Sequence, residues 1–151
     1  MKIGLISDTH GLLRPEALQA LAGVGQIIHA GDIGTPEVLE ALRAVAPVRA
    51  VRGNNDRSPW ARKIPLRLDL RIGGVRVHVL HDLNELDLDP AADRIDVVIA
   101  GHSHKPAIVQ RDGVLFVNPG SAGPRRFRLP VTIGYLSVEA GCARAQIRDL
   151  L

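Results

Sequence analysis

Lys2-Ile-Gly-Leu-Ile-Ser7 is a short apolar run, and a helix-forming stretch with proline in its first turn follows at residues 15–22. The same order returns in the next segment, where an apolar run at residues 26–30 precedes a helical pattern at residues 36–46. A third apolar run occupies residues 48–51. Two units of strand and helix with continuous apolar strands predict a parallel sheet that is covered by helices.

The second half of the chain is rich in strand signals. Residues 66–72 and 75–80 flank Gly73-Gly74, a two-residue hairpin signal. A further apolar strand is predicted at residues 95–100, and hairpins are predicted from residues 107–110 with 114–117 and from residues 131–138 with 143–147. Residues 119–130 are predicted to form a long loop. An α/β first half and a β-rich second half predict two sheets packed face to face with helices outside.

Composition limits the classes of protein that fit. The 151 residues, 46% apolar and 23% charged, fit one globular domain over residues 1–151, and no repeat or linker divides them. The apolar runs are far shorter than a membrane span, and the polar residues that soon follow Met1 do not fit a signal peptide. We therefore expect a cytoplasmic protein without a membrane partner, acting alone or as a homo-oligomer.

Charge and aromatic content predict the kind of partner. The net charge is +3, with one Trp, one Tyr and two Phe. Few aromatic side chains are available to stack on bases, so no specific nucleic-acid partner is expected. The small positive net charge of the chain fits a small anionic substrate.

Metal-ligand side chains follow the ends of five predicted strands. These residues are Asp8, His10, Asp32, Asn54, His81, His102 and His104. Ligands gather beyond the carboxyl ends of strands in open sheets, so the seven side chains are expected to converge. Each one alone has an ordinary explanation: an aspartate more often caps a helix or forms a turn, and a single histidine is more often part of the core. Their recurrence at strand ends favours a metal site.

Two aspartates, one asparagine and four histidines are too many donors for one four-coordinate zinc. The mixed oxygen and nitrogen set suits two ions of Mn, Fe, Zn or Co. Asp32 is the natural bridging carboxylate, and a water of lowered pKa would be the second bridge, which supplies a hydroxide for attack.

The order Asp-x-His, Gly-Asp, Gly-Asn, His, Gly-His-x-His resembles the calcineurin-like metallophosphoesterase superfamily. With Asn118-Pro-Gly-Ser121, the chain looks like the small bacterial and archaeal phosphodiesterases of the YfcE type. The resemblance runs from Ser7 to Ser121 and implies a four-layer α/β/β/α sandwich of two mixed sheets with flanking helices. It implies that one metal is held by Asp8, His10, Asp32 and His104 and the other by Asp32, Asn54, His81 and His102.

Two positions depart from the family pattern. Asn55 stands where many members have a histidine that protonates or stabilises the leaving group, and asparagine cannot be a general acid near neutral pH. The small phosphodiesterase branch commonly lacks that histidine as well. Asp82 follows His81 where relatives usually have glycine. It is expected to form a turn, the alternative being a contact with metal-bound water.

Three further residues are candidates for binding substrate: Asn55, Arg125 and Arg126. The two arginines follow Asn118-Pro-Gly-Ser121 closely and would reach a substrate phosphate, unless their loop is simply solvated. Asp56 is expected to orient the Asn54 loop.

The combined prediction is a two-metal phosphodiesterase with Asp32, Asn54, His102 and His104 as catalytic residues. The bridging hydroxide would attack phosphorus while the metals and His102 or His104 polarise the phosphoryl oxygens. Mn is the expected metal, with Fe, Zn, Ni, Co or Mg as alternatives. The runner-up is a metal-binding scaffold for protein interaction with the same fold, since the resemblance extends to a retromer subunit. A nuclease fits less well, because the chain lacks a strand-binding aromatic surface.

Overall fold

All ten predicted strands and both predicted helices are present in the computed structural model, which describes residues 1–151. The strands are β1 (Lys2–Ile6), β2 (Gln26–His29), β3 (Val48–Ala50), β4 (Arg67–Ile72), β5 (Val75–Leu80), β6 (Val97–Ile99), β7 (Ala107–Arg111), β8 (Val114–Asn118), β9 (Thr132–Glu139) and β10 (Cys142–Asp149). The helices are α1 (Pro15–Leu21) and α2 (Pro36–Arg43), and two short 3-10 helices lie at Pro59–Lys63 and Leu83–Glu85. Residues 119–130 are a loop, as predicted.

The α2 helix ends earlier than its apolar pattern predicts. It stops at Arg43 rather than at Ala46. Pro47 disfavours helical backbone at the residue before it, and the chain tightens into a turn in which the N–H of Val45 donates to the carbonyl of Leu42 at 2.9 Å. No helix of this structure combines the length and the apolar character needed to cross a membrane.

The first sheet has the strand order β10-β9-β1-β2-β3. The central strands β1, β2 and β3 are parallel because α1 and α2 provide the crossover connections, and β9 and β10 add an antiparallel hairpin. The second sheet has the order β4-β5-β6-β8-β7, with β5, β6 and β8 parallel and antiparallel strands at both edges. Both sheets are therefore mixed, as predicted.

A tight turn joins β4 to β5. Gly73 and Gly74 have φ angles of 54° and 82°. Positive φ at both central positions suits a hairpin turn whose twist matches that of the strands, and glycine reaches it without steric cost.

The two sheets pack face to face around the main core. Leu5 and Ile28 of the first sheet and Val79 and Ile99 of the second are fully buried between them. On the outer face of the first sheet, α1 and α2 bury a second cluster. Alternate residues of each strand thus serve the two faces, which confirms the predicted sandwich.

The fourth layer is thin. The outer face of the second sheet is covered by the 3-10 helix Leu83–Glu85 and the irregular chain that follows it. Leu86 and Leu88 of this chain pack against a small buried cluster that includes Leu80 and Ile95. This layer has no α-helix, because residues 82–93 are too rich in aspartate and include Pro90, which favour turns over helix interiors. The cover leaves the β7 end of the sheet exposed.

Candidate metal centre

The predicted site lies beyond the carboxyl ends of β1, β2, β3, β5 and β6. Backbone hydrogen bonds continue past the strands and join the loops in pairs. The N–H of Asp8 donates to the carbonyl of Gly31 at 2.9 Å, and the N–H of Gly101 donates to the carbonyl of His81 at 2.9 Å. These bonds hold the loop after β1 against the loop after β2, and the loop after β5 against the loop after β6.

Five predicted ligands share an uncommon backbone conformation. They are Asp8 (φ 55°), His10 (φ 47°), Asp32 (φ 56°), His102 (φ 71°) and His104 (φ 62°). Left-handed backbone costs a residue other than glycine about 1–3 kcal/mol and persists only where the surroundings impose it. Its concentration at these positions indicates that the loops are shaped for a function rather than for stability.

The carboxylate of Asp8 is the centre of the cluster. Its Oδ1 lies 3.4 Å from Nε2 of His104, 3.8 Å from Nε2 of His81 and 3.9 Å from Nε2 of His10. Its Oδ2 accepts hydrogen bonds from Ser7 Oγ at 2.7 Å and from the N–H of His102 at 3.1 Å. The side chain of Asp8 is fully buried, so its orientation is fixed.

Asp32 is the second central carboxylate. Its Oδ2 lies 3.3 Å from Nε2 of His81 and 3.7 Å from Nε2 of His10. Asn55 donates to both of its oxygens, from the backbone N–H to Oδ1 and from Nδ2 to Oδ2, each at 3.0 Å. His10 and His81 thus each face both carboxylates.

Two overlapping groups of ligand atoms result, Asp8 with His10 and His104, and Asp8 with Asp32 and His81. Within each group the ligand atoms lie within 4.8 Å of one another. The residue common to both groups is Asp8, whereas the sequence predicted Asp32 as the shared carboxylate, and Asp32 belongs to the second group only.

The structure places the two other predicted ligands at the margin of this cluster. The side chain of His102 is 42% exposed, and its ring lies 5.2 Å from that of His81. Asn54 is exposed and lines a cavity of about 180 Å³ together with His81 and Asp82. Both side chains are accessible to solvent.

Charge is distributed unevenly in the cluster. Burial disfavours protonation of His81, but its contact with Asp32 and the charge of Asp8 outweigh burial and raise the pKa of His81 to about 9. Burial would raise the pKa of Asp32, but His81 and the hydrogen bonds from Asn55 hold it below its usual range. Burial lowers the pKa of His104. His81 therefore carries positive charge between the two carboxylates, where a cation would be stabilised.

The chemistry of the donor atoms fits divalent cations. Asp8 Oδ1, His10 Nε2 and His81 Nε2 are buried and have no hydrogen-bond partner. Buried polar atoms without partners are costly, and a metal ion would satisfy all three. Oxygen and imidazole ligands together suit Mn, Fe, Zn and Co.

Glycines before the ligands make the close approach of the loops feasible. A side chain at Gly53 would collide with Asp32, and one at Gly31 would collide with the ring of His81. This steric requirement explains why glycine recurs beside the ligand residues in the sequence.

Two supporting residues connect the loops beneath the cluster. The Asp56 carboxylate accepts from the N–H groups of Ile33 and Gly34, each at 3.1 Å, and of Gly53 at 2.8 Å, so it fixes both the Asp32 loop and the Asn54 loop. This agrees with the orienting role predicted for Asp56.

His29, the last residue of β2, is the second supporting residue. The N–H of Gly31 donates to its Nδ1 at 3.1 Å, and its Nε2 lies 3.0 Å from Thr9 Oγ1. Complete burial, assisted by the charge of His81, lowers the pKa of His29 to about 3. The ring is neutral, so Nε2 donates to Thr9 and links the loops of β1 and β2.

The remaining candidates lie outside the cluster. Asp82 forms the predicted turn, accepting from the N–H of Asn84 at 3.0 Å, and its Oδ2 also lies 3.7 Å from Nε2 of His102. Arg125 donates from Nε to the carbonyl of Leu129 at 3.2 Å, within its own loop. Arg126 is exposed and close enough for its charge to affect His104. A substrate role for the two arginines and for Asn55 stays a prediction.

Comparison with known proteins agrees with this donor pattern. Residues 1–141 match the calcineurin-like phosphoesterase superfamily domain. A probable metallophosphoesterase of Methanocaldococcus jannaschii is 39% identical over 149 residues, which cover 92% of this chain and 77% of the relative. The phosphodiesterase YfcE of Escherichia coli is 31% identical over 168 aligned positions, which cover 90% of this chain and 87% of YfcE.

Solved structures share the fold. An archaeal phosphodiesterase superposes with a TM-score of 0.81 at 28% identity, over 98% of this chain and all of the other. Vps29 of Chaetomium thermophilum superposes with a TM-score of 0.80 at 20% identity, over 99% of this chain and 96% of the other, a likeness that shows the fold alone. The chain therefore belongs to the calcineurin-like phosphoesterase superfamily and is a metal-dependent phosphoesterase.

Proposed function

We propose that this protein is a phosphodiesterase that hydrolyses small anionic phosphodiesters with two divalent cations. The observation that carries the proposal is the pair of overlapping ligand groups that share the buried carboxylate of Asp8. Two groups with a common carboxylate are the arrangement that a dinuclear site needs. The similarity to proteins named phosphodiesterases supports the reaction class.

Five of the seven residues predicted as metal ligands would hold the cations, and the other two, Asn54 and His102, lie at the margin of the cluster. His10 and His104 would serve one ion and His81 the other, with Asp8 and Asp32 between them. When bound, two such cations supply a hydroxide nucleophile at neutral pH and neutralise charge on the phosphoryl oxygens. Mn is the metal we propose, because the donors combine carboxylate oxygen with imidazole nitrogen.

The chain itself positions the substrate at the open side of the cluster. His102 and Asn54 are exposed there and can donate hydrogen bonds to phosphoryl oxygens. The Nδ2 of Asn55 donates a hydrogen bond to Asp32. The amide of Asn55 cannot protonate the leaving group, which favours esters whose leaving groups depart as stable anions.

The test is metal reconstitution with a substrate panel. Protein treated with a chelator is assayed with bis-p-nitrophenyl phosphate and p-nitrophenyl phosphate after addition of Mn, Fe, Zn, Ni, Co or Mg. We expect no hydrolysis without metal, best recovery with Mn at two ions per chain, and faster turnover of the diester. Full activity of metal-free protein, or saturation at one ion per chain, would refute the two-metal proposal.

A protein-binding scaffold is the second candidate, because Vps29 has the same fold. The retained donors argue against a purely structural role, since a scaffold has no need for a buried, strained cluster of ligands. A protein that binds metal ions but hydrolyses no phosphoester of the panel would favour the scaffold.

A further inference from the structure

A cavity of about 320 Å³ opens beside the metal centre, on the outer face of the second sheet. Gly101 and His102 line this cavity, and they belong to the same loop as the cluster residue His104. The cavity and the metal centre therefore share a wall. The exposed ring of His102 lies at their junction, 5.2 Å from the ring of His81.

The floor of the cavity is an apolar row across three strands. Val98 of β6 pairs with Phe116 of β8, and Phe116 pairs with Val109 of β7. Alternate residues of a strand share a face, so Ala100 and Ala107 extend this floor toward His102. Most of the floor is thus made of side chains that exclude water.

This floor is open because the fourth layer of the sandwich is incomplete. The 3-10 helix Leu83–Glu85 forms one wall, and no helix covers the sheet beyond it. Val109 is consequently 43% exposed on a strand whose residues are all exposed. An exposed concave apolar surface beside a catalytic centre is the usual form of a ligand subsite.

The rim carries charges that suit a phosphate ester. Lys105 and Arg111 line the cavity, and the guanidinium carbon of Arg111 lies 5.4 Å from the ring centroid of Phe116. Asp82 is the single acidic residue of the lining. An apolar floor, cationic rim groups and an adjoining metal centre together favour an occupant with one apolar end and one anionic end.

We propose that this cavity is a specificity subsite for an aromatic ester group of the phosphodiester substrate. The proposal rests on the proposed function, because the phosphate must be held at the metal centre for the aromatic group to reach the cavity. Phe116 and Val109 would contact the aromatic ring, and His102 would lie between the ring and the phosphate.

The first test compares three probes on the Mn-loaded protein by calorimetry: phenylphosphonate, methylphosphonate and inorganic phosphate. The two phosphonates present similar anionic groups and differ in the size of the apolar group. We expect phenylphosphonate to bind about tenfold more tightly than methylphosphonate, because the ring removes apolar surface from water. Equal affinities would overturn the subsite.

The second test fills the cavity from an exposed strand. Val109→Trp places a large ring over the floor, and Ile108→Trp makes the same change at the neighbouring position, which does not line the cavity. We expect Val109→Trp to abolish the tenfold preference and to raise KM for bis-p-nitrophenyl phosphate about tenfold. Ile108→Trp should change neither quantity. An identical response of the two variants would overturn the proposal.

The outcomes distinguish failure of the proposed function from failure of the subsite alone. Failure of all three probes to bind, together with no metal-dependent hydrolysis of bis-p-nitrophenyl phosphate, would overturn the proposed function and the subsite with it. Binding of inorganic phosphate and both phosphonates with no preference for the phenyl group would overturn the subsite alone. The comparison of the three probes on the unaltered protein tests the subsite even if the Val109→Trp variant does not fold.

Discussion

Asn55 donates two hydrogen bonds to Asp32, one to each carboxylate oxygen, both at 3.0 Å. Asn55 stands where many superfamily members have a histidine, and in this chain its side chain stabilises a ligand carboxylate. These bonds contribute to the low pKa of Asp32 and keep it ionised for a cation. The same residue thus stabilises a carboxylate of the candidate metal site, and as an asparagine it cannot act as a general acid near neutral pH.

The central carboxylates should matter more than the exposed amide. We expect Asp32→Asn to lower kcat/KM at least a hundredfold, because Asp32 faces two histidines and supplies negative charge between the proposed ions. Asn54→Ala should cost about tenfold, since Asn54 is exposed and neutral. Steady-state kinetics with bis-p-nitrophenyl phosphate measure both. Equal, small losses would mean that Asp32 is not one of the carboxylates between the proposed ions.

The rate should depend steeply on the leaving group. Proton donation is worth about 10²–10⁴ in rate, and Asn55 cannot provide it. For a series of aryl phosphodiesters, the logarithm of the rate of the chemical step should therefore fall steeply as the pKa of the leaving group rises. Asn55→His should flatten the slope where its imidazole reaches the leaving oxygen. A flat dependence in the original protein, with chemistry rate-limiting, would show that another residue donates the proton.

Metal-free protein should lose stability as the pH rises from 6.5 to 9. The pKa of His81 is about 9 when folded and about 6.5 when unfolded, so its stabilisation is complete below pH 6.5 and lost through pH 9. The loss should be on the order of 2–3 kcal/mol by denaturant titration. The lowered pKa values of His29 and His104 act only below pH 6.5.

One control variant and one further measurement accompany this pH experiment. His81→Asn should remove the slope between pH 6.5 and 9, because the titrating group is gone. Metal affinity should rise about tenfold per pH unit below pH 9, since binding at His81 releases a proton. A pH-independent affinity would show that His81 is not a ligand.

Removal of the Asp56 carboxylate should destabilise the fold. Asp56→Ala leaves the N–H groups of Ile33, Gly34 and Gly53 without their acceptor. Each buried unpaired group costs about 1–3 kcal/mol, so we expect a loss of roughly 3 kcal/mol in the free energy of unfolding and weaker metal binding. Glu40→Ala, an exposed helix position, is the matched control and should change stability by less than about 0.5 kcal/mol.

The sequence by itself determined the order and type of the regular elements. Apolar runs bounded by glycine, such as residues 66–72 and 75–80 around Gly73-Gly74, are short-range signals, because periodicity and turn chemistry act between neighbours in the chain. The recurrence of ligand residue types at strand ends can also be read from the sequence alone. The first sheet then places three of those strand ends side by side.

Only the tertiary structure decided how those residues meet. The left-handed backbone of Asp8 and Asp32, the position of Asp8 in both ligand groups and the link from His29 to Thr9 depend on loops held together across two sheets. The open cavity floor around Val109 also depends on tertiary packing, because the packing decides which strands the thin fourth layer covers. Contacts between residues far apart in the chain are set by packing, which no local pattern encodes.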